Sequence, residues 1–199
     1  SHAIFDDLSE GWVDSSYQIV NPHIANTIID GYNPNDPQSV ILINSPPENP
    51  CISPEIFGFT ITDGSGTIVL VNEEEQVMGG GIFINNALPT INHNFIKDCN
   101  CDNRGCNIES GGAIQQSTGA NFPTPNLIDI EVAQYRCEGD LDYSNNMFYN
   151  NEANYGSTLD SDEFTGYIDM TGSYFDVYAE DEEDVSEYWV NTDDSLENI

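Results

Sequence analysis

The chain has 199 residues, enough for one domain, and carries 35 acidic side chains against three basic ones, Lys97, Arg104 and Arg136, for a formal net charge of -32. Such a surface repels nucleic acid and anionic membranes, so neither is an expected partner; its natural counter-charges are cations, Ca²⁺ among them. A hydrophobic fraction of 38% with ten Tyr and nine Phe argues for a folded chain rather than an acidic disordered one.

In chain order the predicted elements are short, four to seven residues, and bounded by Gly, Asn, Asp and Pro. No run of 18 apolar residues occurs. No signal-peptide pattern opens the chain, and Ser1 reads as a mature or cloning-derived start. The first clear strand is "SVILIN" at Ser39–Asn44. "IFGFTITDG" at Ile56–Gly64 follows, then "GGGIFIN" at Gly79–Asn85 and "TINHNFIKD" at Thr90–Asp98. After an insert come "GGAIQQ" at Gly111–Gln116 and, past a second insert near Thr118–Asp140, "YSNNMFYNN" at Tyr143–Asn151. "GSTLDS" at Gly156–Ser161 and "MTGSYFDVY" at Met170–Tyr178 complete the series. The only helix candidate is the C-terminal "EDEEDVSEYWV".

Two unit types alternate along this series, which is the mark of a repeat. The second type stacks position by position. Phe59-x-Ile61 lies over Asn94-x-Ile96, then Asn146-x-Phe148, then Ser173-x-Phe175. The period is two, so each unit reads as a strand with its apolar member on one side. Asn94 and Asn146 fall in one column, where inward amides could bond the backbone of neighbouring turns; a simple turn preference of Asn explains them as well. Hairpin signals mostly fail, because the "DG" pairs at Asp30–Gly31 and Asp63–Gly64 end strands without a mirror partner. The expected architecture is a coil stacked on itself, with parallel pairing between equivalent strands.

Five cysteines occur, and three lie in "CNCDNRGC". The C-x-C-x4-C spacing is not a standard zinc pattern. A disulfide inside this loop is the expectation, Cys101 with Cys106 or Cys99 with Cys106, which favours an extracellular setting. The best local metal candidates are Asp140 with Asp142, and Asp160 with Asp162 and Glu163, where carboxylates two apart on a loop could share a Ca²⁺. No loop matches D-x-D-x-D-G. His93 reads as structural, and Lys97, Arg104 and Arg136 as surface charges. No catalytic group emerges, since acidic clusters are everywhere and none is distinguished by a neighbouring His.

"NTIIDGYNPNDPQSVILIN", "IFGFTITDG", "GGGIFINNALPTINHNFI", "GGAI" and "NNMFYNNEANYG" together resemble the repeats of secreted bacterial right-handed parallel β-helix proteins of the pectate-lyase-like kind. The resemblance covers roughly residues 26–178. It implies an all-β solenoid of about four to five coils with inserted loops, forming one domain over 1–199, with 179–199 as an acidic cap or tail. Such proteins include polysaccharide lyases, glycoside hydrolases, adhesins and structural surface proteins, so the fold leaves activity open. The leading expectation is a non-catalytic extracellular structural, adhesive or ligand-binding module that can self-associate into a filament or array. The competing one is a carbohydrate-active enzyme on an extracellular polysaccharide. Ca²⁺ is the one cofactor expected.

Overall fold

The computed structural model describes residues 18–19, 21–35, 38–46, 49–71, 74–100, 109–110, 114–117, 137, 139–153, 158–162, 166–175 and 190–192. A short helix, α1 (Pro22–Asn26), opens the described chain. It is followed by β1 (Ile28–Asp30), β2 (Ile41–Asn44), β3 (Glu55–Phe57), β4 (Thr60–Thr62), β5 (Thr67–Val71), β6 (Glu74–Met78), β7 (Ile82–Asn85), β8 (Thr90–Asn92) and β9 (Phe95–Lys97). Then come β10 (Glu109–Ser110), β11 (Ile114–Ser117), β12 (Leu141–Asp142), β13 (Met147–Tyr149), β14 (Leu159–Asp162), β15 (Ile168–Asp169), β16 (Tyr174–Phe175) and β17 (Val190–Thr192). The protein is therefore mostly strand, with little helix.

Three sheets carry the fold. The first has the order β1-β4-β9-β13-β16, the second β17-β14-β11-β7-β2, and the third β15-β12-β8-β3. Every pairing within them is parallel. The chain visits first, second and third sheet in that order, again and again. Registers follow the columns read from the sequence. Ile61 lies beside Ile96, Ile96 beside Phe148, and Phe148 beside Phe175. In the second sheet Ile41, Ile82, Ile114 and Leu159 form one row.

One core draws on all three sheets. Ile61, Ile96 and Phe148 come from the first, Ile82, Ile84, Ile114 and Leu159 from the second, and Ile56, Ile91, Leu141 and Ile168 from the third. Parallel strands shorter than five residues bury little on their own. A shared core is what makes the ladders stable.

Corners between sheets demand left-handed backbone, and the sequence supplies residues that tolerate it. The turn from third to first sheet uses Gly58, His93, Asn145 and Gly172, all at positive φ. The turn leaving the first sheet uses Asp63, Asp98 and Asn150 in the same way. Gly, Asn and Asp reach this region at low cost, which explains why Asn and Asp punctuate the repeats.

Two elements depart from the expectation. β5 and β6 form an antiparallel hairpin, with β10 parallel on its other side. Val69 and Met78 of the hairpin region pack on Phe83, which would otherwise face out from the second sheet. α1 is the other. Its N-cap is Asn21, whose side chain accepts from the His23 and Ile24 amides, with Pro22 at the first helical position. Ile24 is fully buried and packs with Met147, Phe95 and Tyr174 along the outer side of the first sheet. The C-terminal helix candidate lies outside the described residues, apart from Val190, which is in β17.

Candidate functional site

The densest polar cluster lies at the corner from the third to the first sheet. Asn94 and Asn146 are both fully buried. Asn146 Oδ1 accepts from the Asn94 backbone N–H at 3.0 Å, and its Nδ2 donates to the Ile91 and Tyr143 carbonyls at 2.7 Å each. Asn94 repeats the pattern one turn earlier. Its Oδ1 accepts from Phe59 N–H, and its Nδ2 donates to the Ile56 and Asn92 carbonyls. Ser173 continues the column, its Oγ accepting from Asn146 N–H and donating to the Tyr143 carbonyl. Amides that could have been offered to a ligand instead satisfy backbone groups the core would orphan.

His93 stands at the same corner. Its ring lies 5.3 Å from that of Phe57, and its Nδ1 is 3.5 Å from Asn92 Oδ1. Partial burial pushes its pKa below the ordinary value, against a smaller upward pull from the Asp142 carboxylate. Asp142 is committed locally. Its Oδ1 accepts from the Ser144 amide and hydroxyl, and its Oδ2 lies 3.5 Å from Asn92 Nδ2.

Asp140 is exposed and accepts from the Tyr167 N–H at 3.3 Å. Asp160 is buried, and both it and Asp162 lie in β14 rather than on a loop, which corrects the sequence-based placement. Glu163 lies outside the described residues. Among the described residues, no three His, Cys, Asp or Glu side chains converge to hold a metal ion.

At the corner leaving the first sheet, Lys97 Nζ pairs with Asp98 Oδ2 at 2.9 Å and sits 5.9 Å from the Phe95 ring centroid. Burial alone would raise the Asp98 carboxyl; the Asn150 amide and Lys97 outweigh it and hold its pKa below the ordinary value. Asn151 mirrors Asn94 here, accepting from Cys99 N–H and donating to the Ile96 carbonyl. Arg104 and Arg136 are outside the described residues.

Cys99 is not half of a disulfide. It is a free thiol, wholly buried, and burial pushes its pKa up to about 12. Its backbone N–H donates to Asn151 Oδ1 and its Sγ to the Lys97 carbonyl, and the side chain packs in the core. Cys101 and Cys106, the other two candidates, lie outside the described residues. The disulfide that is present joins Cys51 to Cys137, with a Cα–Cα distance of 5.5 Å across a sequence separation of 86. Nothing in the local spacing announces this pair, because the two cysteines lie 86 residues apart and meet only through the tertiary fold.

No family model, curated protein or solved structure matches the chain.

Proposed function

We propose that the chain is a secreted right-handed parallel β-helix of four to five coils, acting as a non-catalytic structural or ligand-binding module. The observation that carries this reading is where the corner Asn and Ser side chains go. Asn94, Asn146, Asn151 and Ser173 all bond the backbone of their own or a neighbouring turn. They build a rigid rod whose outward faces are free to vary. The repeated visit to three parallel sheets in fixed order supports a solenoid. The Cys51–Cys137 disulfide supports an oxidising, extracellular setting. Calcium is the cation such a module would recruit, through Asp140 with Asp142, or Asp160 with Asp162 and Glu163, completed by backbone carbonyls; a melting temperature unchanged by EDTA at low salt would remove that role.

The test is a screen of the purified protein against alginate, pectin and sulfated glycans, read for both binding and product release. The reading expects no new reducing ends or unsaturated products from any of them. Product release that tracks the purified chain would replace the module with an enzyme.

A further inference from the structure

We propose that the outer face of the first sheet at Tyr149 binds a neutral hexose polysaccharide, with the Tyr149 ring stacked on a sugar face and the Lys97–Asp98–Asn150 cluster bonded to its hydroxyls. The proposal rests on the ligand-binding side of the reading above and names the ligand class.

Three observations carry it. The first is a half-open aromatic platform. β13 alternates, so Phe148 enters the core while Met147 and Tyr149 face out. Ile24 of α1 covers the row of Phe95, Met147 and Tyr174. The next row sets Lys97 beside Tyr149, and there Tyr149 is 48% exposed. The Phe95 ring stands 6.4 Å from the Tyr149 ring at 59° and supports it from one side. A tyrosine held in a ladder offers flat apolar area at small entropic cost, since only two side-chain torsions remain to be fixed.

The second is the polar chemistry bordering the ring. Lys97 is the register partner of Tyr149, and Asp98 and Asn150 follow them at the left-handed corner. Asn150 Nδ2 donates to Asp98 Oδ1 at 2.7 Å, and Lys97 Nζ donates to Asp98 Oδ2 at 2.9 Å. All three side chains reach solvent. The cluster therefore presents ammonium and amide N–H donors beside carboxylate oxygens. Sugar hydroxyls both donate and accept, and they ask for that mixture next to an apolar surface. The third observation is charge. Lys97 and Asp98 cancel locally, while the whole chain carries -32. A uronate or sulfated chain meets that net field as repulsion. A cationic peptide is drawn to the molecule, but at this spot it would have to displace Lys97 from Asp98. An uncharged sugar meets neither obstacle.

The experiment is titration calorimetry of the full chain with cellohexaose, mannohexaose and galactohexaose, at low salt and at about 1 M NaCl. An alginate hexasaccharide and hexalysine are the charged controls. The expected result is that at least one neutral hexasaccharide binds, with an affinity nearly independent of salt, and that neither control binds more tightly. Tyr149→Ala should weaken binding about tenfold or more, and Tyr149→Phe should retain it. Tyr167→Ala, at a comparably exposed ring ahead of β15, should leave it unchanged. Asn150→Asp tolerates the left-handed backbone and turns a donor into a second carboxylate against Asp98. It should weaken binding too, and it decides the matter if Tyr149→Ala melts early. No binding of any neutral hexasaccharide, tighter binding of either control, or a folded Tyr149→Ala variant that binds as wild type does would overturn the proposal. Product release would replace the module with an enzyme and leave the Tyr149 site standing; absent binding without products removes the site and leaves the module.

Discussion

At the scale of single residues, the asparagines act as backbone. Asn146 has no exposed surface and bonds groups of its own segment, through Tyr143, and of the β8–β9 segment beside it, through Ile91 and Asn94. Asn146→Ala leaves the Ile91 and Tyr143 carbonyls and the Asn94 amide short of partners in a dry site. Each orphaned group costs on the order of 1–3 kcal/mol, so we expect a loss of about 3 kcal/mol or more in urea denaturation. Asn44→Ala, at an exposed position, should change little by comparison. His93 gives a second prediction. Its folded pKa lies below the ordinary value of 6.5, so the unfolded chain binds its proton first as pH falls. The contribution is complete above the unfolded pKa and is lost as pH drops from there towards the folded pKa. Stability should therefore decline on acidification below about 6.5, and His93→Asn, which tolerates the left-handed backbone, should flatten that part of the profile. An equally steep decline in the variant would assign the effect to other groups.

At the scale of elements, the columns were legible and the accessories were not. The pairings of Ile61, Ile96, Phe148 and Phe175 follow from period-two alternation, anchored in the last three by Asn or Ser two residues earlier, because a shared core forces equivalent strands into one register. The β5–β6 hairpin escaped because its turn carries no Asn-Gly or Asp-Gly pair, and its acidic run looks like a solvated cluster. α1 spans only five residues, too few to show a helical period, although Asn21–Pro22 is a legible start signal. The candidate site fared likewise. The Asn94–Asn146 column was visible as a pattern, but the Cys51–Cys137 pairing depends on how long inserts return, and spacing does not encode that. Corner packing supplies a prediction at this scale. A Cβ at Gly64 would collide with the Gly80 carbonyl, and the Val40 side chain stands only 2.6 Å away. The chain entering the β5–β6 hairpin and the chain leaving it are thus in backbone contact, with no flexible side chain to yield on the Gly80 side. Gly64→Ala should destabilise by roughly 2–3 kcal/mol and lower the melting temperature visibly. A neutral result would mean that the corner can open without disturbing β4 and β7.

At the scale of the whole molecule, stability must be reconciled with a charge of -32 on 199 residues. Like charges oppose compaction, and the short strands offer only local ladders against it. A long-range covalent tie acts on the unfolded chain, where that repulsion is freest to expand it. Cys51 follows β2 and Cys137 precedes β12, so their bond encloses the chain from β3 to β11. In the chain-entropy account, closing a loop of that length is worth about 4.6 kcal/mol. Removing it with the paired variant Cys51→Ala, Cys137→Ala should lower the melting temperature at every salt concentration. The loss should be greatest at low salt, where the unfolded chain is most expanded and the closure constrains it most. Thermal melts of the paired variant and the wild type at two ionic strengths give the measurement. Equal melting temperatures for the two proteins at low salt would show that the stack holds without the tie, and that the parallel ladders and asparagine corners alone withstand the charge.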